Sequence, residues 1–154
     1  ISQPYTVAFQ SEQLDIQPGD KVLEVGTGSG YQACVLLELG AKVYSIEFNK
    51  ALYLRTKAFL PKMGYNPIFF HGDGSQGLEK HAPYDKIIVT AGAPSVPSSL
   101  IKQLKSGGML IIPVGDNKRQ KMLKLTKLDS KKIKKESFNY FSFVPLKGKE
   151  GWGS

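Results

Sequence analysis

Residues Val22 to Ala33 read VLEVGTGSGYQA, and the interpretation of the whole chain turns on them. An apolar run (Val22, Leu23, Val25) encloses one acid, Glu24, then gives way to a glycine turn and a helical restart. That outline is a buried parallel strand leading through a tight loop to a helix N-terminus. Gly26, Gly28 and Gly30 stand in the pattern G-x-G-x-G. Glycine accepts positive φ and lets the backbone approach a ligand with no Cβ between them. The free N–H groups that open the next helix favour a carboxylate or another anion.

The spacing separates two families of cofactor. A dinucleotide fingerprint, G-x-G-x-x-G, would place glycine at position 31, where the chain has Tyr31. The G-x-G-x-G form, with an acid two residues before its first glycine, resembles the first motif of Rossmann-like S-adenosylmethionine (SAM) methyltransferases. A glycine turn alone also occurs wherever a strand turns sharply into a helix, so a second anchor is needed. Glu47 supplies one, 21 residues after Gly26. A carboxylate there can accept hydrogen bonds from both hydroxyls of a ribose; otherwise it is an exposed acid at the start of a helix.

Outward from this loop, strands and helices alternate. A helix is expected over Pro4 to Leu14, with proline in its first turn, and a turn at Gln17-Pro18-Gly19-Asp20. Strands follow at Lys21 to Val25, Lys42 to Ile46 (ending at Glu47), Pro67 to His71, Tyr84 to Thr90 and Met109 to Val114. Helices are expected from about Gly30 to Leu39, from Asn49 or Lys50 with Ala51, Leu54 and Ala58 on one face and Pro61 ending it, and from about Ser98 to Leu104. Ser106-Gly107-Gly108 reads as a turn. Gln120 to Leu128 and Lys132 to Phe143 then read as an antiparallel hairpin. The implied architecture is α/β and doubly wound, a mostly parallel sheet with a C-terminal antiparallel hairpin, as one domain over residues 1–154. Ligands of such sheets bind beyond the carboxyl ends of the strands. The distinctive residues gather there: Gly26 to Gly30, Glu47, Asp73-Gly74 and Thr90 to Pro94. Asp73 is either a turn residue or a contact to the adenine.

With 154 residues and 41% apolar content, the chain can bury a real core. No apolar run approaches the ~20 residues of a membrane span, and no signal peptide opens the sequence. A single cysteine, Cys34, excludes an internal disulfide and a cysteine metal cluster. His71 and His81 have no ligand-spaced partners, so no metal is expected. A monomeric cytoplasmic protein is the plain reading. The net charge of +8 resides in one place: nine Lys or Arg and one acid, Asp129, lie between Lys118 and Lys135. That segment suits nucleic-acid contact or a sheet edge guarded by lysines. No aromatic residue interleaves the lysines to provide a stacking platform, which favours the edge.

The segments ISQPYTVAFQ, VLEVGTGSGYQA, FFHGDGSQGL, APYDKIIVTAGAP, LKSGGMLIIPVG and FSFVPLKGKEGW appear in order. Together they resemble the protein-L-isoaspartate O-methyltransferase family nearly from end to end. The resemblance implies a Rossmann-like SAM methyltransferase that esterifies the free α-carboxylate of isoaspartyl residues in damaged proteins and peptides. It implies Ser2 as the active-site residue, hydrogen-bonded to that carboxylate; by itself Ser2 before Pro4 would read as a helix N-cap. It implies SAM held by Gly26, Thr27, Gly28, Ser29, Gly30, Glu47, Phe48, Asp73 and Gly74, with S-adenosyl-L-homocysteine as product. Ile1 and a strand at Val144-Pro145-Leu146 would hold the substrate peptide, and the tail through Trp152 would lie near the cofactor. Family members usually carry an N-terminal helical segment before the Ile-Ser motif, so this chain reads as a piece lacking it.

Three rivals stay in view. An RNA or other nucleic-acid methyltransferase would suit the basic segment. However, the place after the fourth strand holds Thr90-Ala91-Gly92-Ala93-Pro94, not Asn/Asp-Pro-Pro-aromatic. A NAD-dependent oxidoreductase is disfavoured by Tyr31. A SAM-binding fragment without turnover is the third.

Overall fold

The computed structural model describes residues 3–153. Seven strands form one sheet: β1 (Lys21–Val25), β2 (Lys42–Glu47), β3 (Ile68–His71), β4 (Tyr84–Val89), β5 (Leu104–Gly115), β6 (Gln120–Lys127) and β7 (Ile133–Phe141), in the order β3-β2-β1-β4-β5-β6-β7. Neighbours from β3 across to β5 run parallel, while β6 pairs antiparallel with both β5 and β7. Among the described residues four α-helices accompany them: α1 (Pro4–Leu14), α2 (Tyr31–Glu38), α3 (Lys50–Phe59) and α4 (Ser98–Lys102). The chain steps outward from β1 to β2 and β3, then returns to lay β4 on the other side of β1. That reversal opens a crevice at the carboxyl ends of β1 and β4.

Alternation along the central strands divides the core between two faces. Leu23, Ile87 and Leu110 belong to one apolar cluster, and Val22, Ile88 and Ile111 to the other. All six are fully buried, as expected for parallel strands covered on both sides. Among the described residues no helix is long and apolar enough to cross a membrane.

Helix α1 has the expected bounds. It ends in a left-handed residue, Asp15 (φ 48°), and its last carbonyls are held from the sheet. The Lys86 ammonium, on β4, donates to Leu14 O at 2.6 Å and Asp15 O at 3.1 Å, with Asp20 Oδ2 3.6 Å away. Charge-assisted bonds of this kind satisfy the orphan carbonyls of a helix end.

Two expectations need correction. Ala51, Leu54 and Ala58 do not form the inner face of α3, since all three are exposed. The inward stripe is Leu52, Thr56 and, at the C-cap, Leu60, spaced four apart, with Thr56 and Leu60 buried. Second, Ser106-Gly107-Gly108 does not separate a helix from a strand but lies inside β5 as an irregularity. Gly107 takes φ 84°, and the β4–β5 register shifts between Tyr84 and Lys86. A Cβ on Gly108 would stand 2.9 Å from Asp85 O, so the strand passes β4 too closely for a side chain.

The basic segment forms the outer hairpin, and most residues of β7 are exposed. Its cations are put to local use. Lys127 Nζ donates to Ile101 O and Leu104 O, each at 3.0 Å, and Lys134 lies 3.7 Å from Glu136.

Candidate active site

A cleft of about 1400 Å³ opens at the carboxyl ends of β1, β2 and β4. One wall is the glycine loop and α3; the other combines the start of α1 with residues 140–147.

The loop is shaped by three glycines in three different ways. Gly26 (φ 101°) passes against β4, where a Cβ would lie 2.6 Å from Thr90 Oγ1. Gly30 (φ 87°) is the N-cap of α2, and a Cβ there would lie 2.6 Å from Leu60 Cδ1. Gly28 (φ 53°) would carry a Cβ with nothing within 4 Å, the open cradle a ligand needs. Polar bonds fix the loop from below and beside. Thr56 Oγ1 donates to Gly28 O at 2.6 Å, and Thr90 Oγ1 to Gly26 O at 2.6 Å. Ser45 Oγ donates to Glu24 Oε1 at 2.6 Å, which leaves Thr27 Oγ1 to donate to Ser45 at 2.5 Å.

Glu47 faces this loop from the end of β2. Its Oε1 accepts from Gly28 N at 2.8 Å and its Oε2 from Asn49 N at 2.9 Å. Each oxygen therefore keeps one lone pair for a further donor. Two backbone bonds hold the carboxylate plane still, so a pair of vicinal hydroxyls would meet acceptors already in place. Beneath it lies the fully buried Glu24, whose carboxyl is pushed up to about 8. Burial is the main cause; the Ser45 hydrogen bond opposes it, and the Glu47 charge acts with burial. At neutral pH, Glu24 is therefore largely a neutral acid under the loop.

Gly26, Thr27, Gly28, Ser29, Glu47, Phe48 and Gly74 line the cleft on the glycine-loop side, and Val144, Pro145 and Leu146 line it opposite. Gly30 stands behind the loop. Phe48 is 40% exposed at the rim, suited to lie flat against a base. Ser2 and Ile1 lie outside the described residues; the cleft lining begins with Gln3 and continues through Tyr5, Thr6 and Val7 of α1.

Three expected placements are revised. Asp73 does not line the cleft. Its Oδ1 accepts from Ser75 N at 3.0 Å and Ser75 Oγ at 2.6 Å, and its Oδ2 from Lys149 N at 2.8 Å. The tail claims this carboxylate, and Gly148 packs so tightly on it that a Cβ there would overlap the oxygen. Trp152 does not reach the cleft either: its indole N–H donates to Gly92 O at 2.9 Å. Val144 to Leu146 form an isolated parallel bridge rather than a strand, with Gly92 N donating to Val144 O at 2.7 Å and Leu146 N to Gly92 O at 2.8 Å. Pro145 has no N–H with which to extend a ladder.

Sequence reasoning also missed Arg55, Thr56, Phe59 and Tyr140, which all line the cleft. Thr56 was findable: Leu52, Thr56 and Leu60 form a stripe four residues apart, with a hydroxyl in its middle.

The donors and shape fit a nucleoside bearing an amino-acid arm. The cradle, the fixed carboxylate and the rim phenyl would hold SAM, with no metal ligands required. Comparison with known proteins agrees. The sequence model of the family described as protein-L-isoaspartate(D-aspartate) O-methyltransferase matches residues 1–151. The protein-L-isoaspartate O-methyltransferase of Cytophaga hutchinsonii is 57% identical over 154 residues, covering 100% of this chain and 70% of that protein. That of Christiangramia forsetii is 60% identical over 147 residues, covering 95% of this chain and 68% of the relative. A solved protein-L-isoaspartate O-methyltransferase superposes with a TM-score of 0.89 at 32% identity, covering 98% of this chain and 49% of the other. A Plasmodium falciparum structure in complex with S-adenosyl-L-homocysteine superposes at 0.79 with 27% identity, covering 95% of this chain and 75% of that one. A match that runs through the glycine loop, the cleft walls and the tail alike places the chain in the protein-L-isoaspartate(D-aspartate) O-methyltransferase family.

Proposed function

We propose that this chain transfers a methyl group from SAM to the α-carboxylate of isoaspartyl residues in polypeptides, the first step in returning them to normal aspartyl linkages. The observation that carries this reading is one cleft with the glycine loop and Glu47 on one wall and Val144 to Leu146 on the other.

In this reading Glu47 accepts from the ribose hydroxyls, Phe48 covers the adenine, and the Gly26–Gly30 backbone receives the amino-acid end. Gly74 closes the floor, while Asp73 acts from behind by tying the tail to that floor. SAM, when bound, supplies a methyl on a cationic sulfur that a carboxylate oxygen can displace in line. The substrate carboxylate has a pKa of about 4 or below, so it arrives ionised and the protein needs no general base. The task of the residues is orientation, for which effective molarities of ~10⁵ M or more are attainable. Ser2, one residue before the cleft-lining Gln3, donates the hydrogen bond that aligns the carboxylate. Val144, Pro145 and Leu146 present an apolar wall that keeps water from the oxygen in use.

Titration calorimetry with S-adenosyl-L-homocysteine, followed by methyl transfer to an isoaspartyl peptide and its aspartyl twin, tests this. Binding with selective methylation of the isoaspartyl peptide is expected. Binding without turnover would make this a cofactor-holding fragment, and absence of binding would overturn the cofactor assignment.

A further inference from the structure

The hairpin edge accounts for only part of the basic segment from Lys118 to Lys135. Lys127 serves carbonyls and Lys134 pairs with Glu136, but two cations of the same segment lie at the other end. The Arg119 guanidinium carbon is 4.2 Å from the centroid of the Tyr140 ring, and Lys121 Nζ is 5.7 Å from it. Lys121 and Tyr140 face one another across β6 and β7. Tyr140 is 54% exposed and lines the cleft, so this end of the segment reaches its mouth. Arg55 and Lys147 line the same cleft.

Opposite charge is scarce here. Among the described residues the cleft lining holds one carboxylate, Glu47, whose oxygens already accept from Gly28 N and Asn49 N. Asp116, the acid nearest Arg119 in sequence, has Oδ1 committed to the backbone N–H groups of Lys118 and Arg119. It offsets part of the positive charge through these backbone bonds, with no ion pair to the guanidinium among the described residues. A guanidinium held against a ring keeps its planar fork available for a carboxylate.

We propose that Arg119, Lys121 and Tyr140 form a subsite for acidic side chains flanking the isoaspartyl residue, so that the protein prefers damaged sites in acidic segments. The proposal rests on the methyltransferase reading above. Polypeptide is favoured over RNA by the state of the aromatics. Arg119 occupies a face of Tyr140, and Phe9 packs on Phe138 and Phe141 with centroids 5.3 and 5.4 Å apart. These rings serve packing and are not set out as a row on which bases could stack.

The test compares three isoaspartyl peptides that differ only in their flanking residues: glutamate, glutamine or lysine. At low salt, kcat/KM is expected to fall about three- to ten-fold from the glutamate to the glutamine peptide, and again to the lysine peptide, the size of two exposed charge contacts. KM should carry the difference, and about 0.5 M salt should collapse it. The R119Q/K121Q double variant should lose the glutamate–glutamine difference, and Arg119→Lys should retain part of it. Equal values for the three peptides would overturn the proposal and leave the methyltransferase reading standing. Failure to methylate any of them would overturn both. Displacement of the glutamate peptide by an RNA oligonucleotide at lower concentration than by an unmodified glutamate-rich peptide would also overturn it, assigning the patch to nucleic acid.

Discussion

The two halves of the sheet do their work in different materials. On the β1–β4 side the site is made of backbone: three glycines at positive φ, N–H groups offered to a carboxylate, and strands buried on both faces. On the outer β6–β7 side it is made of side chains: Tyr140 from the mostly exposed β7, Lys121 from the facing β6, Arg119 just before β6 and the residues that follow β7. A backbone site tolerates few substitutions because its contacts belong to the chain path itself. A side-chain rim can change residue by residue without disturbing the fold. The cofactor half should therefore be brittle and the hairpin half tunable.

The sharpest way to break that contrast is at Gly30. Gly30→Ala combines a left-handed φ with a methyl 2.6 Å from the buried Leu60. Strain and overpacking together should cost about 2–5 kcal/mol and abolish measurable cofactor binding. Thermal unfolding and calorimetry check both; an unaffected protein would show that the loop is not brittle.

Glu24 gives the next largest effect. Its folded-state pKa, raised to about 8, lies above the ordinary 4.5. The stability that Glu24 contributes is therefore fullest below about pH 4.5, where folded and unfolded chains both carry its proton. It falls as pH rises to about 8, because the unfolded chain ionises first. The loss attributable to this one group should be about 2–4 kcal/mol, less than the full shift implies once the buried site relaxes. Glu24→Gln should flatten that decline, as read from unfolding curves at pH 5 and 8.

Glu47→Gln should weaken S-adenosyl-L-homocysteine binding by about 1.5–3 kcal/mol, the worth of hydrogen bonds to a charged acceptor, with a smaller change in melting temperature. Calorimetry at fixed salt measures it. At the small end, Lys131→Gln with Lys132→Gln, in the exposed turn of the hairpin, should move stability by less than about 0.5 kcal/mol and leave cofactor affinity unchanged. A large effect there would erase the distinction between the halves.

The same division explains what the sequence made legible. The path of the glycine loop could be read directly because a backbone requirement restricts residue type: few residues but glycine suit φ 101° beside Thr90. Helix α1 was equally legible, with Pro4 near its start and an apolar pattern ending at Leu14. Asp73 was not, because its partner is the backbone of Lys149, 76 residues away, and nothing local to GDG reveals which group claims a carboxylate. The inner face of α3 misled for a related reason. Its buried stripe contains Thr56, whose hydroxyl is satisfied by Gly28 O, a bond that hydrophobic periodicity cannot register. Trp152 was assigned to the cofactor by resemblance, yet it serves Gly92.

The mooring of α1 by Lys86 has a mechanical consequence. The helix is fixed where its last carbonyls meet the ammonium and again midway, where Gln10 Nε2 donates to Val89 O at 3.1 Å, whereas Tyr5 and Thr6, near its other end, line the cleft. With 11 residues it is a lever roughly 16 Å long. A tilt of about 5° at the pivot would carry the cleft end through about 1.4 Å, and misplacements near 1 Å can cost on the order of 100-fold in rate. A lysine under the far end of a helix, outside the cleft lining, thus contributes to the angle at which the two walls of the cleft face one another.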